Sequence, residues 1–239
     1  MTLEICANSL ASAVAAQNGG AQRIELCENL NEGGTTPSYG TIKKVCEEIQ
    51  IRVYVLIRPR AGDFFYSLAE FEVMKEDILN CKALGCDGVV IGLLDQDGNV
   101  DRERTKELVD LASPMGVTFH RAFDSCNNGL KALEDIIYCG CERILTSGMK
   151  NTAIEGLVFL KELVKKAANR ILIMPGSGVN EDNILELITV TKAQEYHTSA
   201  KAPIKSMMKY HNPSIQNMGE LVEVSNEDTI RRMVKLMNN

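Results

Sequence analysis

Eight short, β-branched runs alternate with eight longer amphipathic stretches from one end of this 239-residue chain to the other. The runs fall at 3–6, 23–27, 52–57, 88–91, 117–120, 143–146, 171–174 and 195–199. The helical patterns fall at 9–18, 38–49, 68–84, 101–112, 128–139, 152–167, 180–190 and 226–237. Strands joined through helices must run parallel, and a parallel sheet needs both faces covered. A doubly wound open sheet also alternates, but eight units of about 30 residues match an α/β (β/α)8 TIM barrel.

A weak internal repeat agrees. Gly20-Ala21-Gln22-Arg23, Gly85-Cys86-Asp87-Gly88 and Gly140-Cys141-Glu142-Arg143 each place a Gly at a helix end and start a strand after two more residues. Gly is the residue that takes the left-handed backbone at such ends. Before the eighth strand, Ala193-Gln194-Glu195 keeps the register without the Gly. No linker interrupts the pattern, so residues 1–239 are expected to form one domain. The exception is a long connection, 201–225, rich in Met, Lys, Asn and Pro. Long connections of this kind carry function or mobility, and Met207 and Met208 within it are potential soft ligands or lid packing.

A net charge of −6 and no basic stretch argue against a nucleic-acid partner. No apolar run is long enough to span a bilayer, and the start of the chain enters a strand pattern without a signal-peptide core. A cytoplasmic location is therefore expected, with the eight cysteines reduced. Partners are then a metal ion, a small anionic ligand or another copy of the chain, and a homodimer is expected.

Charged side chains on buried barrel strands have one tolerable direction, inward and toward the C-terminal mouth. The run Val117-Thr118-Phe119-His120-Arg121-Ala122-Phe123-Asp124 leaves an apolar strand with three ionisable groups in five positions. Glu4, Glu25, Arg58 and His197 lie on or at the ends of other strands, and all three histidines (120, 197, 211) fall at or beyond strand C-termini. A barrel-filling salt-bridge network is the competing reading of these charges. If the chain is an enzyme, Glu25 or His120 would serve as general base, with Asp124 beside them. Glu4, Arg58, Arg60 and His197 would bind the ligand, the two arginines gripping a carboxylate or phosphate. Ser147 and the Gly176 and Gly178 turn would add polar and backbone contacts. Cys6, Cys27 and Cys126 form a second set, facing the same mouth and suited to a soft ion such as Cu(I). Cys139 and Cys141 sit before strand six, at the stability-bearing end, and are read as small hydrophobes with Cys81 and Cys86.

Several of these segments together resemble the CutC family: Arg23-Ile24-Glu25-Leu26-Cys27, Glu32-Gly33-Gly34-Thr35-Thr36-Pro37, Val55-Leu56-Ile57-Arg58-Pro59-Arg60, Phe119-His120-Arg121-Ala122-Phe123-Asp124 and Met174-Pro175-Gly176. The resemblance continues to Asn212-Pro213 and implies a TIM barrel, a cytoplasmic location and a role in copper homeostasis. Two positions depart from it. Met149 and Ser177 stand where similar sequences often carry Gly.

Overall fold

The structure, a computed structural model, describes residues 1–210, 212, 214 and 221–238. The expectations placed on His211 and Pro213 lie outside the described residues. Eight strands alternate with eight helices: β1 (Thr2–Ala7), α1 (Leu10–Asn18), β2 (Arg23–Leu26), α2 (Tyr39–Glu48), β3 (Arg52–Leu56), α3 (Leu68–Ala83), β4 (Gly88–Ile91), α4 (Arg102–Ala112), β5 (Gly116–Phe119), α5 (Gly129–Cys139), β6 (Arg143–Thr146), α6 (Leu157–Ala167), β7 (Leu172–Pro175), α7 (Ile184–Thr191), β8 (Glu195–Thr198) and α8 (Glu227–Asn238). The strands pair in parallel in the order β7-β6-β5-β4-β3-β2-β1-β8. β7 and β8 meet at the seam, where the Thr198 hydroxyl donates to the Val179 carbonyl at 2.6 Å just beyond the strand ends. This is the TIM barrel that the alternation requires.

Strand parity divides the interior in two. Leu3, Ile5 and Ala7 of β1 join the large apolar layer between barrel and helices, which reaches Met237. Cys6 points the other way, into a small internal cluster with Cys27, Tyr54, Leu56 and Val90. The helices that clamp the barrel begin at side-chain caps: Ser9, Ser38, Ser67, Asp101 and Asn128 each accept the N–H three residues on.

The repeat has a backbone cause. Gly20, Gly85 and Gly140 have φ of 89°, 76° and 88°, and Lys192 takes the same place at 58°. The fourth unit therefore holds the left-handed turn without the residue that suits it.

The structure departs from the sequence reading at three places. The connection 201–225 is not an irregular loop throughout, because β9 (Lys201–Lys205) and β10 (Leu221–Ser225) pair as an antiparallel ribbon. β9 is obscured by its two lysines and by Pro203, tolerated where only one edge is paired, whereas β10 alternates apolar and polar residues, a strand signal that the sequence reading did not single out. Helices α6 and α7 begin later than expected, at Leu157 and Ile184. Gly156 lies directly on the Ser147 backbone, which holds the preceding residues against the exit of β6. Finally, β5 stops at Phe119, and His120 instead caps a short 3-10 turn, Arg121–Ser125.

Candidate functional site

A cavity of about 250 Å3 opens at the C-terminal ends of the strands. Cys6 from β1, Glu25 from β2, His197 from β8, Arg58 beyond β3, and His120 and Arg121 beyond β5 line it. Glu25, Arg58, His120 and His197 thus converge from four separate strands. Leu30, Leu56, Leu145 and Phe64 supply its apolar wall.

Glu4 lies one layer deeper, at 1% exposure, below the cavity walls. There Arg23, Arg143 and Glu195 form an ionic layer that the sequence reading did not single out. Arg23 donates to Glu4 and, at 2.5 Å, to Glu195, and Arg143 reaches Glu195 at 2.5 Å and Thr118 at 3.0 Å. The signal was in the repeat: the residue three after each helix-ending position is Arg23, Gly88, Arg143 and Glu195, one layer from the even strands. At Gly88 the Tyr54 ring occupies the side-chain space, and its hydroxyl donates to Glu142 at 2.6 Å. The charges of the barrel therefore serve both readings of the sequence, a filling network below and a cavity above.

Cys6, Glu25 and His197 bring a thiol, a carboxylate and an imidazole within 4.8 Å of one another. The Cys27 thiol lies 3.4 Å from that of Cys6, within hydrogen-bond distance and without a disulfide. The imidazole bridges the layers, with Nδ1 at 2.8 Å from Glu4 and Nε2 at 3.5 Å from Glu25. Burial disfavours ionisation of His197, but the Glu4 hydrogen bond and the Glu25 charge outweigh it and raise its pKa. Burial likewise opposes ionisation of Glu4, yet the Arg23 guanidinium and then His197 hold it down at about 2. Burial pushes Glu25 up, with His197 pulling against it. The hydrogen bond to Cys27, then burial, pushes the Cys6 thiol far up, so in the ligand-free protein it is a neutral thiol.

Arg58 and His120 extend the lining beyond β3 and β5. The Arg58 guanidinium is 5% exposed and donates to three carbonyls, of Glu32 at 2.8 Å, Gly34 at 2.6 Å and Gly62 at 2.8 Å. Among the described residues no carboxylate forms an ion pair with it within 4.0 Å. His120 accepts the Ala122 N–H at Nδ1, 3.0 Å, so the proton of the neutral ring resides on Nε2. Burial, then the Arg58 charge, depresses its pKa to about 3. Gly92 packs on the Cε1–Nδ1 edge of this ring, where a methyl group would collide.

Other expected site residues are placed elsewhere. Asp124 accepts from the backbones of Ser147 (3.1 Å) and Met149 (3.0 Å), from Thr146 Oγ1 (2.5 Å) and from Arg121 (2.8 Å). Its oxygens organise the β6 exit loop. Ser147 is fully buried and bonds Asp124 and the Lys150 carbonyl. Arg60 pairs with Glu70 and Asp63 at the surface. Gly178 borders the cavity, whereas Gly176 backs onto Leu145 and His197. Cys126 donates to the Ala122 carbonyl at 3.6 Å and faces a separate depression beside Asn127 and Asn128. Met149 and Ser177 both hold left-handed backbone, φ 60° and 75°, which explains why Gly suits those positions. Phe64 was not foreseen, because a loop aromatic carries no sequence signal for facing a site.

Fold and site together define a TIM-barrel protein with a thiol-, carboxylate- and imidazole-bearing mouth. The family model described as the CutC family matches residues 1–202, and the chain belongs to that family. It is 50% identical over 213 residues to a family protein CutC of Chromobacterium violaceum, covering 89% of this chain and 86% of that protein. It is 47% identical over 213 residues to a human protein named copper homeostasis protein cutC homolog, covering 89% of this chain and 78% of that one. A CutC crystal structure from Streptococcus agalactiae superposes with a TM-score of 0.79 at 36% identity, covering 83% of this chain and 98% of that one. Phosphoribosylanthranilate isomerase of Pyrococcus furiosus shares the fold alone, with a TM-score of 0.61 at 13% identity, covering 100% of this chain and 99% of that one.

Proposed function

We propose that this protein handles Cu(I) at the barrel mouth, through the thiolates of Cys6 and Cys27 with His197 and Glu25 beside them. The observation that carries this reading is the 3.4 Å approach of the two thiols next to the Cys6, Glu25 and His197 donor group. Thiolate and imidazole suit Cu(I), and the human relative's name supports a copper role for the family. Cu(I) binds thiolate, and the Cys6 thiol is held protonated in the ligand-free protein, so affinity rises with pH. The same reading fits a cytoplasmic setting, where thiols stay reduced. Competition against a colorimetric Cu(I) chelator tests it. Cys6→Ser or Cys27→Ser should weaken Cu(I) binding at least tenfold, and Cys126→Ser should leave it unchanged. Wild-type affinity in both of the first two variants would overturn the assignment.

A second reading has its own observation. The cavity, about 250 Å3, is larger than a bare ion needs, and Arg58 stands in its wall with no carboxylate paired to it among the described residues. We infer that a small anionic molecule also enters here. A thermal-shift series with small anions tests this, and no stabilisation by any of them would count against it.

A further inference from the structure

Two buried donors of cavity-lining residues have no hydrogen-bond acceptor in place among the described residues: His120 Nε2, and Arg58 Nε, whose guanidinium lies near the equally unpartnered Tyr66 hydroxyl. The two side chains are each 5% exposed and both contribute to the cavity wall. The Phe64 side chain packs against both residues. The Phe64 ring lies 5.1 Å from the His120 ring and 5.2 Å from the Arg58 guanidinium carbon, and it is only half-buried itself.

An aromatic face is a weak partner for N–H groups, and a buried cation without an anion is among the costliest arrangements in a protein. Both costs disappear if an oxyanion replaces the ring. We propose that Arg58 and His120 form a carboxylate-binding subsite gated by Phe64, whose ring swings aside to admit one end of a small organic monoanion. The inference rests on the anion reading above and does not depend on copper.

The charges favour a monoanion. Arg58 supplies one positive charge, Arg121 is already paired with Asp124 at 2.8 Å, His197 lies against the Glu4 and Glu25 carboxylates, and His120 contributes a neutral N–H. Glu25 in the same lining disfavours a second negative charge, so phosphate as its dianion fits less well than a carboxylate. The space left in the cavity suits a short-chain acid, whose polar substituents meet Glu25, His197 and the Cys6 thiol. Rotation of one half-buried ring needs no backbone change, and the Phe64 carbonyl stays fixed by the Leu94 N–H at 2.9 Å.

Isothermal titration of the full chain with acetate, pyruvate and inorganic phosphate tests the subsite. The expected result is carboxylate binding that exceeds phosphate binding, weakens roughly tenfold or more in Arg58→Gln, and tightens in Phe64→Ala. Because Arg58→Gln removes a buried group and can fail to fold, Phe64→Ala carries the test independently. The His120 Nε2–H resonance adds a second readout, moving downfield on titration with pyruvate. Carboxylate binding that ignores Phe64→Ala and leaves the His120 resonance unmoved would overturn the subsite while sparing the anion reading. Phosphate binding more tightly than either carboxylate would overturn the monoanion assignment. Failure of all three probes to bind the wild type would remove both. The titrations are run on copper-free protein, which separates this result from the copper reading.

Discussion

Two histidines at one cavity are shifted in opposite directions. His120 is held neutral by burial and Arg58, with a pKa of about 3, so it binds its proton far less readily folded than unfolded. Its stabilising contribution is complete above the unfolded value near 6.5 and declines as pH falls toward 3, by about 1.4 kcal/mol per unit. His197 is raised by Glu4 and Glu25, so its contribution is complete below 6.5 and is lost as pH rises through the folded value. Chemical denaturation across pH should show His120→Asn flattening the acid side, between about 6.5 and 4.5, and His197→Gln flattening the alkaline side. Unchanged slopes in both variants would refute the assignment. Asp124 gives a second prediction. Asp124→Ala orphans the N–H groups of Ser147 and Met149 and the Arg121 charge, and should cost about 3 kcal/mol or more by urea unfolding. A loss below about 1 kcal/mol would show that the loop repairs itself with water. The converging groups Glu25, Arg58, His120 and His197 were legible in the sequence because strand parity leaves inward charge only one outlet. The roles of Asp124 and Ser147 were not, since they depend on a loop that folds back to meet them.

At the level of elements, the alternation of patterns located every strand of the barrel, because parallel strands are short, β-branched and bounded by turn residues. Helix starts at α6 and α7 were less legible, since the close approach of Gly156 to Ser147 is a tertiary constraint. The β9–β10 ribbon escaped for a different reason: two lysines and Pro203 obscure β9, and its partner strand lies far along the same connection. The αβ turns offer a direct test. Lys192, exposed and left-handed at φ 58°, fills the place of Gly20, Gly85 and Gly140. Lys192→Gly should stabilise the protein by about 1 kcal/mol, raising Tm by roughly 2–4 °C. A lower Tm would mean that the lysine side chain makes a contribution larger than the relief of its backbone.

For the whole molecule, the barrel is filled by charge below and left open above. The lower layer ties β1, β2, β6 and β8 through Glu4, Arg23, Arg143 and Glu195. Removing one member strands the others in a dry interior, so Glu195→Gln should destabilise by about 3–5 kcal/mol, read as a lower urea midpoint at constant slope. A near-neutral effect would mean that water enters the layer. This foundation fixes Glu4, which in turn orients His197 toward Glu25 and Cys6, and so the ionic layer supports the proposed metal donors from beneath. The most direct test of the copper reading is X-ray absorption at the copper edge on protein loaded with one Cu(I) per chain. Sulfur neighbours that disappear together in a Cys6→Ser, Cys27→Ser double variant are the predicted result. A wild-type shell of nitrogen and oxygen alone, or one that keeps its sulfurs in that variant, would contradict it.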